Sequence, residues 1–202
     1  MIITIGREFG SGGREFGRRL AEELGIAYYD REILAEIAKK TAYSQEYIEE
    51  VSQGRPVALF PIHYGGSFLS VADPNITQAA DIFQEQSNVL KELADKSDCL
   101  IIGRAADYVL RDRHPFRIFI YSSLEAKVRR CKEREDEREK GLSDKALIKR
   151  IKQVDKKRRQ YYEFYTGNVW GDRNHYDLLI NTSNGDLKAL AKAVAALLKP
   201  KK

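Results

Sequence analysis

Cysteine is scarce in this 202-residue chain, and the two present, Cys99 and Cys131, lie far apart. Such a pair builds no disulfide framework and has no metal-type spacing. The three histidines, His63, His114 and His175, are isolated from one another, so a zinc-type cluster is not expected. No apolar run is long enough to cross a bilayer, and the opening Met-Ile-Ile-Thr-Ile run meets Gly6 and Arg7 at once. Neither a membrane span nor a signal peptide is therefore expected. Proline is sparse except between residues 54 and 75, which hold Pro56, Pro61 and Pro74. Together these absences point to one reduced, cytoplasmic domain, long enough to bury a core without disulfide or metal staples.

Charge is present and unevenly placed. The formal net charge is +5. Residues 127–159 carry 15 Lys or Arg against 7 Asp or Glu, a local +8, so the remainder is slightly acidic. A basic stretch of this kind suits a phosphate-rich ligand, and it equally suits a solvated amphipathic helix pair. Nucleic acid is disfavoured, because the aromatic interleaving of a base-stacking surface is missing through Arg150.

Five short apolar runs read as strands: Met1–Ile5, then 27–29, 99–102, 117–121 and 177–181. Helical periodicity lies between them over 14–24, 31–40, 44–52, 76–96, 104–111, 124–139, 143–165 and 186–198. Alternating β and α of this kind predicts a parallel sheet covered on both faces. Residues 54–75 read as a long irregular loop suited to a lid or substrate flap. The expectation is a single domain over 1–202, with a substrate-region insert at 53–90 and a lid arm at 127–159.

The glycine-rich turn after the first strand carries the most chemistry. Gly6-Arg7-Glu8-Phe9-Gly10-Ser11-Gly12-Gly13-Arg14-Glu15 runs directly into a helical pattern. Strand, glycine turn and helix make a phosphate-binding layout, because backbone N–H groups and the positive helix end face the ligand together. A tight turn without ligand would use the same glycines. The usual pattern G-x-x-x-x-G-K-[ST] is not met. With Gly13 as the last loop glycine, Arg14 takes the place of the lysine and Glu15 that of the Mg²⁺-binding hydroxyl. Glu15 is then a metal ligand, a helix cap or an arginine partner.

The ordered set of local patterns resembles the nucleoside monophosphate kinases, and in particular their cytidylate kinase-like branch. It comprises the N-terminal strand and glycine turn, Tyr28-Tyr29-Asp30-Arg31-Glu32, Ile101-Ile102-Gly103-Arg104-Ala105-Ala106-Asp107, and Arg129-Arg130. Downstream, Asp155-Lys156-Lys157-Arg158 and the stretches Tyr165–Asp172 and Tyr176–Thr182 complete it. The resemblance implies a P-loop NTPase fold: three layers, α/β/α, with a five-stranded parallel sheet and a helical lid. It departs from ordinary cytidylate kinases where Arg31 replaces a Ser, Glu36 an Arg, and Ile102 and Ala105 the acidic neighbours of Gly-Arg. Cytosine specificity is not implied there.

From this resemblance and the loop together, Gly10, Ser11, Gly12, Gly13, Arg14 and Glu15 are expected to hold ATP, with Glu15 as a candidate Mg²⁺ ligand. Arg14, Arg104, Arg129, Arg130 and Arg158 are the candidate cations for the transferred phosphoryl. Asp30, Arg31, Arg104, Asp107, Asp155, Arg158 and Arg159 are the candidate acceptor-binding residues. Asp30 either reaches Mg²⁺ or the acceptor, or caps the next helix. Asp155 is expected to orient Arg158, one helical turn away, or a substrate group, rather than to act as a base. The implied activity is transfer of the ATP γ-phosphoryl to CMP or dCMP. A sensor that has lost catalysis, and a kinase of another small acceptor, are the competing readings. Partners are small nucleotides, without membrane; a homodimer is left open.

Overall fold

The computed structural model describes residues 1–53, 74–134 and 139–199. Five strands form: β1 (Ile2–Arg7), β2 (Ala27–Tyr29), β3 (Cys99–Ile102), β4 (Phe116–Tyr121) and β5 (Leu178–Asn181). The helices are α1 (Gly13–Leu24), α2 (Glu32–Lys40), α3 (Gln45–Gln53), α4 (Pro74–Lys96), α5 (Ala106–Val109), α6 (Leu124–Glu133), α7 (Asp144–Thr166) and α8 (Leu187–Leu198). The strands pair in the order β2-β3-β1-β4-β5, and every pairing is parallel.

A parallel sheet needs both faces covered, and the residues supply two apolar faces. On one face Ile3, Ile5, Ile118, Ile120 and Ile180 pack against Phe16 and Leu20 of α1 and Ala191 and Val194 of α8. On the other, Cys99 and Ile101 pack against Ile33 and Ile37 of α2, Ile48 of α3 and Val89 and Leu90 of α4. This is the expected three-layer arrangement with a five-stranded parallel sheet. All five strands point the same way, so the loops at their carboxyl ends converge on one rim.

Local signals set the helix ends. Ser123 and Ser143 cap α6 and α7 by accepting from the N–H groups of Ala126 and Ala146, both at 3.3 Å. Pro74 opens α4, two residues before the expected start, at a position where its missing N–H costs nothing. The expected 104–111 helix shrinks to α5 and a short 3-10 turn at Arg111–Arg113. Gly103, Arg104 and Ala105 all have positive φ, so no helix can start before Ala106. The expected 124–139 helix is described to Glu133. Most of the 54–75 loop, and the tail from Pro200, lie outside the described residues. Cys99 is buried, and burial pushes its thiol pKa up, as for an inert core thiol. No described helix is long and apolar enough to cross a membrane.

α1 approaches the sheet closely because Gly17 faces it. A Cβ there would lie 2.6 Å from the Ile102 Cδ1 and 3.1 Å from the Ile5 Cδ1. Gly17→Val is expected to lose about 1–3 kcal/mol by overpacking. Adding Ile102→Val removes the nearest methyl, so the double variant should be more stable than Gly17→Val alone in denaturant unfolding. Strict additivity of the two losses would refute the close contact.

Candidate active site

β1 ends in Gly6 and Arg7, and the chain turns through Glu8–Gly12 into α1. Gly10 and Gly12 take left-handed φ of 74° and 80°, conformations that glycine adopts without Cβ strain. Gly12 is the residue that precedes the helix and Gly13 is its first residue. The loop therefore ends one residue earlier than the alignment that made Gly13 its last glycine.

The outer side of this loop is tied down residue by residue. The Glu8 N–H donates to the Ile120 carbonyl at 3.0 Å, and the Ser11 hydroxyl donates to the Glu8 carbonyl at 2.8 Å. The Thr182 hydroxyl donates to the Ser11 carbonyl at 2.6 Å. The Glu8 carboxylate accepts from the Ser122 N–H at 3.1 Å and lies 2.7 Å from the Lys127 Nζ. Lys127 also donates to Asp155 at 3.1 Å, and the other Asp155 oxygen accepts from the Phe9 N–H at 2.6 Å. Arg158 donates to the Arg7 carbonyl at 3.1 Å. By contrast, the N–H groups of Gly10, Gly12, Gly13 and Arg14 donate to no described residue. Unspent donors at a glycine turn and helix start are the components of an anion cradle.

Arginines converge on the same place. Arg7, Arg14, Arg104 and Arg158 line one cavity together with Asp30. Asp30 is buried and answers Arg7 and Arg14, while Glu49, also in the lining, attracts Arg104. The Asp30 Oδ2 meets Arg14 Nε closely, and its Oδ1 lies 3.5 Å from Arg14 Nη2 and 3.8 Å from Arg7 Nη2. The guanidinium groups of Arg7 and Arg104 donate no hydrogen bond to any described residue, and that of Arg158 reaches only the Arg7 carbonyl, with Asp155 4.0 Å away. Burial lowers the pKa of all three, that of Arg158 to about 10. Mutual repulsion adds to this: the Arg158 charge depresses Arg7, and the Arg14 charge depresses Arg104 and Arg158. Guanidinium groups keep their charge in proteins, so these act as cations. Positive charge held out of water with its donors unspent favours an anion strongly.

The far end of the cavity is aromatic. Asp107 accepts from the Tyr162 hydroxyl at 2.7 Å. Burial pushes the Asp107 carboxyl above its ordinary range, against the opposing pull of that hydrogen bond. Tyr161, Tyr162, Trp170 and Tyr176 form a packed cluster with Phe119, which meets Trp170 edge-on at 5.3 Å between ring centres. The buried Gln86 amide donates to the Tyr161 hydroxyl at 2.8 Å and to the Arg104 carbonyl at 3.0 Å, and so braces the left-handed turn that carries Arg104.

Of the residues expected from the sequence, Gly10, Gly12, Gly13, Arg14, Asp30, Arg31, Arg104, Asp107 and Arg158 line this cavity. Ser11, Glu15, Arg129, Arg130, Asp155 and Arg159 do not. Glu15 is held by Arg19 at 2.8 and 2.9 Å, with Arg134 3.9 Å away. Arg130 is spent behind the loop, on the Ser122 hydroxyl at 3.1 Å, on the Ser11 carbonyl at 3.4 Å and on Thr182. Arg129 donates to the Ser183 carbonyl at 3.1 Å, and Arg159 is exposed. Asp155 supports the loop rather than facing the cavity. Asp30 does not cap α2, whose preceding residue is Arg31. Sequence reading passed over Lys127 and Gln86 altogether. A lysine in a basic helix and a glutamine in a polar one carry no sign that they are buried.

A profile of the cytidylate kinase-like family matches residues 2–184. A cytidylate kinase of Methanopyrus kandleri is 25% identical over 193 residues, which cover 91% of this chain and 85% of that one. Among solved structures, an uncharacterized protein from Eubacterium ventriosum superposes with a TM-score of 0.71 at 28% identity, covering 98% of both chains. Shikimate kinase from Bacteroides thetaiotaomicron superposes with a TM-score of 0.57 at 16% identity, again over 98% of each, and shares the P-loop NTPase fold.

Lys127 is nearly free of solvent between two carboxylates. Lys127→Met leaves both unanswered and is expected to cost about 3 kcal/mol in denaturant unfolding at neutral pH. The deficit should narrow on acidification, because unpaired buried carboxyls gain pKa and shed their charge by binding protons. Lys132→Met, at a half-exposed ion pair with Asp144, should change little. Equal losses at the two lysines would contradict this account.

Proposed function

The chain belongs to the cytidylate kinase-like family, and from that premise we propose that it transfers the γ-phosphoryl group of ATP to a nucleoside monophosphate, CMP or dCMP. The observation that carries this reading is the set of mostly buried guanidinium groups, Arg7, Arg104 and Arg158, with unspent donors beside a glycine loop whose own N–H groups are unspent. Phosphoryl transfer asks for positioning and charge neutralisation more than for covalent chemistry, and this site is made of such groups.

The loop and the start of α1 hold the donor phosphates, with Gly10, Gly12, Gly13 and Arg14 presenting N–H groups. Arg104 and Asp107, at the carboxyl end of β3, face the acceptor. Arg158 enters from α7 and brings the basic stretch to the same phosphates. Mg²⁺ suits this donor set only as a partner of the nucleotide: among the described residues no cluster of three or more His, Cys, Asp or Glu could hold a metal alone. That is the ordinary state of Mg²⁺ at phosphate sites, where water and phosphate oxygens supply most ligands. Of the two candidate carboxylates, Asp30 lines the cavity and Glu15 does not, so Asp30 is the one that would reach it. When bound, Mg²⁺ neutralises charge developing on the phosphate oxygens.

A second reading follows from Arg14. Its guanidinium is locked onto Asp30, which suits a module that binds nucleotide without turning it over. ADP release measured with ATP–Mg²⁺ over a panel of monophosphates separates the two. Turnover of CMP or dCMP, lost with EDTA, is expected. Arg104→Ala should then lose about 10³-fold or more in kcat/KM with the fold intact. ATP binding with no turnover of any acceptor would favour the sensor. Turnover of a different acceptor alone would retain the kinase and discard cytidylate.

A further inference from the structure

The boundary between loop and helix changes the alignment of the loop with G-x-x-x-x-G-K-[ST]. With Gly12 preceding the helix, the lysine position falls on Gly13 and the hydroxyl position on Arg14. The first glycine position falls on Arg7. Compared with the usual loop, the glycine and the cation have exchanged places. The geometry shows why the exchange is reciprocal. A Cβ on Gly13 would lie 2.7 Å from the Arg7 Cβ and 3.2 Å from its Cγ. The Arg7 side chain therefore fills the space that a side chain at the head of α1 would use.

Its far end occupies a second gap. Gly103 takes a left-handed φ of 69°, and a Cβ there would overlap the Arg7 guanidinium. Arg7 thus threads between the first residue of α1 and the turn after β3, with a glycine on each wall. It emerges in the cavity with its side chain only 17% exposed. Its N–H groups donate to no described residue, and its ion-pair partner Asp30, at 3.8 Å, is already engaged by Arg14. The Arg158, Arg14 and Arg104 charges all act on it unfavourably, and Asp30 is the one charge that opposes them.

We propose that Arg7 is the phosphate-binding cation of this loop, replacing from the end of β1 the side chain that Gly13 lacks. Its ligand is the polyphosphate of a nucleotide, bound through a planar guanidinium fork rather than a mobile ammonium. This rests on the reading of the site as a nucleotide site and adds to it which residue meets the terminal phosphates.

Calorimetric titration tests it with ATP–Mg²⁺, inorganic pyrophosphate and adenosine. Arg7→Met should weaken ATP and pyrophosphate about 10- to 100-fold, the loss of a charge-assisted contact, and leave adenosine unchanged. Arg7→Gly should behave likewise, and Arg7→Gly with Gly13→Lys should regain at least tenfold in ATP affinity, because the lysine stem then enters the emptied slot. Unchanged ATP binding in a folded Arg7→Met protein, or no regain in the double variant, overturns the proposal. Absence of ATP and pyrophosphate binding by the parent protein overturns the nucleotide-site reading instead. If the substitutions unfold the protein, the parent decides. The Arg7 Nε resonance, assigned with Arg7→Lys, should shift on adding pyrophosphate, and no shift refutes the assignment.

Discussion

Lys127 between Glu8 and Asp155 is the contact on which the rest of the site depends. It joins three parts of the chain distant in sequence: the loop after β1, the helix after β4 and the middle of α7. Each carboxylate also takes a backbone N–H, Glu8 from Ser122 and Asp155 from Phe9. A buried ion pair is weak evidence for stability in itself, because desolvation offsets most of the attraction. Its effect here is geometric. These bonds fix the loop backbone relative to the sheet and to α7, so Arg158 reaches the cavity at a defined place.

That fixity matters because the cavity is not balanced in charge. Seven arginines line it against five carboxylates, one of which, Glu8, is spent on Lys127. A flexible site would relieve such repulsion by swinging the side chains into water. These cannot swing freely: Arg7 is wedged between two glycine positions, Arg104 sits on a left-handed turn braced by Gln86, and Arg158 is anchored on the Arg7 carbonyl. The site is therefore held in an arrangement that a bound polyanion completes.

The architecture was legible in the sequence because it follows from periodicity. Continuous apolar runs such as Cys-Leu-Ile-Ile gave buried strands, and the helices expected over 14–24 and 143–165 stand within a residue of α1 and α7. The loop was legible as a phosphate cradle but not in register, since Gly12 and Gly13 are indistinguishable until one takes a left-handed φ and the other opens a helix. Arginine roles were the least legible. Arg130 and Arg158 sit in the same basic stretch, yet one is consumed by Thr182, Ser122 and Ser11 while the other lines the cavity. Composition cannot tell them apart, because the difference lies in which face of α6 or α7 meets the loop.

The exchange of glycine and cation between positions 13 and 7 carries a chemical consequence. A lysine at the head of the helix is a point charge on a flexible stem and can follow a phosphoryl group as it moves. An arginine wedged from the strand side has a fixed plane and little travel. It suits holding phosphate oxygens in one orientation, so any cation that accompanies the transferred group must come from elsewhere. Arg158, from α7, and Arg104, from the turn after β3, are the two guanidinium groups with donors left for that task. The division of labour within this loop is thus set by a steric fact: one slot beside α1, and one side chain that can fill it.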